Sequence, residues 1–116
     1  GWRRIGSVSR VRLLEFRQYL LDRPDNSLIT LIADDHRFRQ PSVRQRNQAY
    51  AEAWALNYFL IRRYPREFVA YLKVLSAKSP LVRDEKEQRI AEFKAAFSDD
   101  LEKLDAQFLR FIKRVK

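Results

Sequence analysis

The stretch from Gln48 to Pro65, QAYAEAWALNYFLIRRYP, holds the residue whose type and setting most invite chemistry. Glu52 is the one acid in a mostly apolar segment, and it lies between Tyr50 and Trp54, which are four apart and so share a helical face. A carboxylate in such surroundings is a candidate metal ligand or general base. It is equally a core-edge acid, which must find partners because an unpaired buried carboxylate is costly. The chain is rich in arginines that can supply them. The setting favours helix packing or ion pairing over catalysis.

Other chemistry has less to stand on. His36 is the single histidine and follows Asp34 and Asp35 in ADDHRFR, a hint of an Asp/His cluster. A catalytic zinc site takes three protein ligands from His, Asp, Glu or Cys. With one His, no Cys and no His-Glu-x-x-His, the chain completes no such site, and the His36 segment reads as a solvated loop. The serines sit in no Gly-x-Ser-x-Gly context, and two glycines are too few for a phosphate-cradling loop. The carboxylate pairs Asp34/Asp35, Asp84/Glu85 and Asp99/Asp100 read as helix-end acids placed by the dipole. The expectation is therefore no catalytic residue, no metal ligand and no cofactor in this chain.

The net charge of +9 raises nucleic acid as the alternative. The candidate contacts are Arg3, Arg4, Arg10 and Arg12 in one cluster, and Arg37, Arg39, Arg44 and Arg46 in a second. Against this reading, acids are interspersed throughout, and no helix-turn-helix with a basic second helix is evident. Aromatic residues fall on apolar stripes rather than among the arginines, which disfavours a base-stacking platform.

The elements that would position these residues are helical. Val11, Leu14 and Leu21 form one stripe over residues 8–22, with Leu13, Phe16 and Leu20 beside it, and Pro24 ends the segment. Asp25 or Asn26 caps a short helix that buries Leu28, Leu31 and Ile32. Ser42-Val43-Arg44-Gln45 has the form of a capping box and opens a helix running to Tyr64. Pro65 suits the first turn of the next helix, with Phe68, Leu72 and Leu75 inward. Ser79-Pro80 begins a segment that buries Ile90, Phe93 and Phe97. Asp99-Asp100-Leu101-Glu102 caps a last helix with Leu101, Leu104, Phe108, Ile112 and Val115 on one face.

No strand-like alternation or repeat is sustained. The spacing predicts an all-α fold: one domain over residues 1–116, a compact non-repetitive array of about six helices, with the helix around residues 42–64 central. No run is long and apolar enough for a membrane span, and the start does not read as a signal peptide. The chain lacks an initiating Met and reads as a segment excised from a larger protein. The lack of cysteine leaves the compartment open, export of the parent protein included.

YAEAWALNYFLIRRYPREFVAYLKVL resembles the Tyr-x-x-Trp-led helix near the end of a bacterial domain-of-unknown-function family. That family is related to the peptidase MA-like zinc metallopeptidases, the gluzincins. FKAAFSDDLEKLDAQFLRFIKRV is similar to its Phe-rich ending, and SLITLIADDHRF to the segment before the Tyr/Trp helix, so the resemblance covers most of residues 26–116. The family's zinc ligands, a His-Glu-x-x-His helix and a further glutamate, lie upstream of the matched region and have no counterpart here. The resemblance thus implies a non-catalytic, C-terminal helical subdomain packed beside an upstream catalytic-type domain of the same polypeptide, where any zinc would be bound. Tyr50 and Trp54 would be its anchors, with Tyr50 lining the cleft. Glu52 matches a position that takes an amide or an acid, which argues against an obligatory ligand.

Overall fold

Short polar side chains start three of the six described helices by accepting from backbone N–H groups left without intrahelical partners, while the other three have no side-chain cap bond. In the computed structural model, which describes residues 8–79 and 84–116, the Ser9 hydroxyl accepts from the Arg12 N–H at 3.3 Å and opens α1 (Arg10–Tyr19). Ser42 accepts from the Gln45 N–H at 3.3 Å and opens α3 (Val43–Arg63). Asp100, rather than Asp99, is the cap of α6 (Leu101–Arg114), accepting from the Lys103 N–H at 3.1 Å. Pro65 takes the first position of α4 (Pro65–Ser76), as its fixed φ allows. The remaining helices are α2 (Ser27–Ala33), which follows Asn26, and α5 (Lys86–Ala96). The stretch expected as a loop after α2 is a 3-10 turn, His36–Arg39. The start expected at Pro80 lies outside the described residues.

Among the described residues there are six α-helices and no strand, an all-α and non-repetitive array. α3 is its centre. It touches α1, α2, α4, α6 and the 3-10 turn, and it buries Ala49, Ala51, Glu52, Ala55, Leu56, Phe59 and Leu60. Its alanines let α1 approach closely. Phe16, Phe59 and Phe108, all fully buried, form the aromatic middle of the core, with ring centroids 5.3 Å apart for Phe16–Phe108 and 5.6 Å for Phe59–Phe108. The buried faces of α2 (Leu28, Leu31, Ile32) and α6 (Leu104, Phe108, Ile112) follow the sequence spacing.

Two faces do not. Along α1 and the turn after it the stripe Val11, Leu14, Leu21 is exposed, Leu21 at 86%, and Leu13, Phe16 and Tyr19 are buried. α1 had two apolar faces to choose from, and the one with the larger rings buries more area against α3 and α6. α1 also stops at Tyr19, because Leu21 and Asp22 donate to the carbonyls three residues back and tighten the last turn. In α4, Leu72 and Leu75 are 47% and 39% exposed, while Phe68 and Tyr71 pack on the core. Tyr71 meets Phe93 and Phe97 of the α5 end edge-on, at 5.9 and 5.2 Å, which turns the leucines outward. Lys78, just beyond α4, donates to Asp84 and to Glu92 at 2.5 Å and ties α4 to α5.

The rotation of α1 is directly testable by urea unfolding. Phe108→Ala is expected to cost about 3–5 kcal/mol through loss of buried contacts and the cavity left behind. Leu14→Ala is expected to stay within about 0.5 kcal/mol of wild type, as exposed substitutions do. A comparable loss in both would place Leu14 in the core and overturn the assignment.

Candidate functional site

Glu52 is fully buried, and a buried acid has to be matched by donors. The match is complete. Arg23, in the turn between α1 and α2, donates to Oε2 through Nε at 3.0 Å and Nη2 at 2.7 Å. Arg37, in the 3-10 turn, donates to Oε1 through Nη1 at 2.8 Å, and the Ser27 hydroxyl donates to the same oxygen at 2.5 Å. Because the Ser27 hydrogen points to Glu52, the Tyr19 hydroxyl 3.0 Å away donates to Ser27 Oγ, and it accepts in turn from Arg37 Nη2 at 3.2 Å.

Arg23 also forks onto Asp105 of α6, with Nη1–Oδ2 at 3.0 Å and Nη2–Oδ1 at 2.7 Å. Two cations and two anions therefore balance inside one network that joins α1, α2, α3, α6 and the 3-10 turn. Burial pulls the Arg23 pKa down, but the hydrogen bonds and charges of Asp105 and Glu52 outweigh it and hold the guanidinium above its ordinary value. The same guanidinium lies 6.0 Å from the Phe16 ring centroid and 5.9 Å from that of Phe108, so it also roofs the aromatic core. Among the described residues no buried side-chain nitrogen or oxygen lacks a hydrogen-bond partner.

Both Glu52 oxygens carry two donors each, which leaves no lone pair to bind a metal or take a proton from a substrate. The acids of the other cluster are partnered too, nearer the surface. Asp34 Oδ1 accepts from His36 Nδ1 at 2.6 Å and from the His36 N–H at 3.0 Å, and Oδ2 faces Lys86 Nζ at 3.3 Å. Asp35 pairs with Arg89 at 3.2 Å. Asp34 closes the C-terminal end of α2, where the dipole disfavours an acid, so the His36 and Lys86 contacts and not the dipole hold it there. The side-chain bond from His36, then its backbone N–H, lowers the Asp34 pKa to about 2. No group of three or more His, Cys, Asp or Glu among the described residues is placed to hold a metal ion.

The structure divides the arginines of the nucleic-acid reading. Arg37 is turned inward onto Glu52 and Tyr19, and Arg46 donates to the carbonyls of Gln40 and Pro41 at 2.7 and 3.0 Å. Arg12 pairs with Glu15 at 3.4 Å and lies over the ring of Tyr50. Arg44 sits 3.8 Å from Asp22 with both side chains mostly in water, and Arg10 and Arg39 are exposed. Arg3 and Arg4 lie outside the described residues. Tyr50 is 47% exposed and tilts against Phe38, while Trp54 is partly buried, packs on the edge of the core and stacks on Tyr58 at 5.3 Å.

A second feature was not foreseen. The C-terminal halves of α3 and α6 flank an open groove of about 980 Å³. Arg62, Arg63, Arg110, Arg114 and Lys116 line it with no acid among its described lining residues, beside the apolar surface of Phe111 and Val115. Arg62 lies 5.2 Å from the Tyr58 ring centroid and Arg63 5.6 Å from that of Phe111. Arginines and aromatics thus do interleave, across two helices that are far apart in sequence. RRY at the end of α3 and the two α6 arginines one turn apart were the available signal, but only the pairing of the helices joins them.

Over residues 1–82 the chain matches the family model described as protein of unknown function (DUF1570). The chain belongs to that family. No curated protein and no solved structure matches it. The DUF1570 match takes in Arg23, Ser27, Arg37 and Glu52 and ends before Asp105 and the α6 wall of the groove. Its description names no activity, and the relation to zinc peptidases goes beyond it.

Arg23→Ala leaves a buried carboxylate short of a cation and is expected to destabilise the fold by about 3–5 kcal/mol in denaturant titration. Arg44→Ala, at the exposed pair, is expected to cost less than about 0.5 kcal/mol. Equal losses would mean that the buried network does not hold the fold together. For Asp34 the lowered pKa makes the carboxylate stabilising at every pH above its ordinary 3.8, and this contribution drains away as pH falls from 3.8 towards about 2. Asp34→Asn should melt below wild type near neutral pH, and the gap should close on acidification. A gap that persists in acid would rule out the His36 and Lys86 contacts as its source.

Proposed function

We propose that the chain is a non-catalytic helical module of a larger, zinc metallopeptidase-like protein, packed against an upstream domain of the same polypeptide and supporting its substrate cleft. The observation that carries this reading is the saturation of Glu52, the one acid placed as a catalytic residue would be, by two arginines and a serine. An ion network built this way fixes the relative position of helices, which is what a supporting module contributes.

The exposed apolar side chains fit the same role. Val11, Leu14 and Leu21 are exposed along α1 and the turn after it, and Val69, Leu72 and Leu75 along α4. Packing onto a neighbouring domain would remove them from water. Tyr50, half-exposed and backed by Phe38 and Arg12, would border a cleft formed with such a neighbour.

The purified chain is expected to show no chelator-sensitive hydrolysis of unfolded protein or peptide substrates, with zinc present or absent. Zinc is expected to leave its melting temperature unchanged, because a site binding the native state would raise it. Chelator-sensitive hydrolysis by the chain alone would overturn the module reading.

A further inference from the structure

We infer that the groove between α3 and α6 is a docking site for an acidic polypeptide segment that also carries apolar side chains. The inference starts from cations with no structural duty. Basic residues in the last turn of a helix are ordinarily explained by the dipole, since they sit by carbonyls that lack partners. At the end of α6 Arg17 of α1 already takes part of that role: it reaches across and donates to the carbonyls of Ile112, at 3.0 Å, and Val115. Arg110 and Arg114 are exposed, and neither has an ion-pair partner among the described residues. With Arg63 and Lys116 they line one concave surface that Arg62 borders, and no acid is among its described lining residues.

Like charges gathered in a concavity repel one another and are held at a cost unless an anion enters. The character of the walls selects which anion. A single-stranded nucleic acid needs open ring faces for its bases. Tyr58 is already stacked on Trp54 and roofed by Arg62, and Phe111 is roofed by Arg63 and flanked by Phe59 and Tyr58. The rings therefore serve to hold the guanidinium planes, whose N–H edges are left to meet carboxylates in the two-pronged geometry that Arg favours. Phe111 and Val115, each partly buried, add an apolar strip between the cations. Glutamates or aspartates interleaved with apolar residues match both features, and an all-phosphate backbone matches only one.

The inference rests on the module reading only in that a supporting module must meet a polypeptide partner. Chelator-sensitive hydrolysis would overturn the module reading and leave peptide binding untouched, so the two failures are distinguishable. The test measures binding of a fluorescent peptide of glutamate and leucine at helical spacing, an all-glutamate peptide of equal length, and a thymidine homo-oligonucleotide. The proteins are the whole chain, Arg110→Glu/Arg114→Glu in the groove, and Arg39→Glu/Arg44→Glu outside it, which makes the same change in net charge. Circular dichroism and melting temperature establish that each is folded. Should the glutamate pair not fold, Arg110→Gln/Arg114→Gln replaces it, since both positions are exposed.

The Glu/Leu peptide is expected to bind more tightly than the all-glutamate peptide and to lose at least about tenfold in affinity with the groove variant. The Arg39/Arg44 variant is expected to stay close to wild type. Equal loss in the two variants would reduce the binding to net charge and overturn the site. Tighter binding of the oligonucleotide, lost only in the groove variant, would overturn the polypeptide partner in favour of nucleic acid. Absence of binding by the Glu/Leu peptide at low salt would overturn the inference outright.

Discussion

A carboxylate withdrawn from water at the middle of α3 sets the terms for everything around it. Glu52 cannot stay in an apolar core unless every lone pair is met, and no residue of α3 itself meets them. Its donors come from the α1–α2 turn, the start of α2 and the 3-10 turn, segments of short or irregular structure that would have weak reasons of their own to hold one position. Arg23 extends the constraint to α6 through Asp105. A register shift of any of these elements would strand a charge, so the network selects one packing arrangement among the many that the apolar faces alone would tolerate. Its contribution is to uniqueness at least as much as to net stability, because desolvation offsets much of the attraction between buried charges.

Arginine does two kinds of work in this fold, and the division bears on how a strongly basic chain is to be understood. Arg23 and Arg37 are interior residues, flat cations that satisfy an acid with their edges and cover aromatic rings with their faces. Arg17 and Arg46 close off backbone carbonyls. The remaining described arginines lie at or near the surface, where the α3–α6 groove collects charge that the linear sequence leaves dispersed. A net charge of +9 therefore describes no single surface. Membrane insertion is a separate matter: among the described residues no helix is long and apolar enough to cross a membrane.

Much of the architecture was legible because local rules decided it. Ser42 announced the start of the central helix, Pro65 its successor, and the single apolar stripes of α2 and α6 declared which side faces inward. Where an element carried two apolar faces, spacing alone could not choose. The face of α1 was settled by how Phe16 stacks with Phe108, and the outward turn of Leu72 and Leu75 by how Tyr71 meets Phe93 and Phe97. Tyr50 and Trp54 share a helical face, yet that face borders the core rather than entering it.

The sequence by itself determined the class of fold, the helix boundaries with strong caps, the shortage of metal ligands, and the need for Glu52 to be paired. These follow from composition and from interactions within a few residues, which the chain carries wherever it goes. Only the tertiary structure decided that Arg23 and Arg37 are the partners, that Asp105 completes the network, and that Arg62, Arg63, Arg110 and Arg114 face one groove. Arg23 lies 29 positions from Glu52 and 82 from Asp105, separations over which no local periodicity operates. Such pairings are set by how whole helices pack, and a side chain's charge does not say in advance which distant helix will need it.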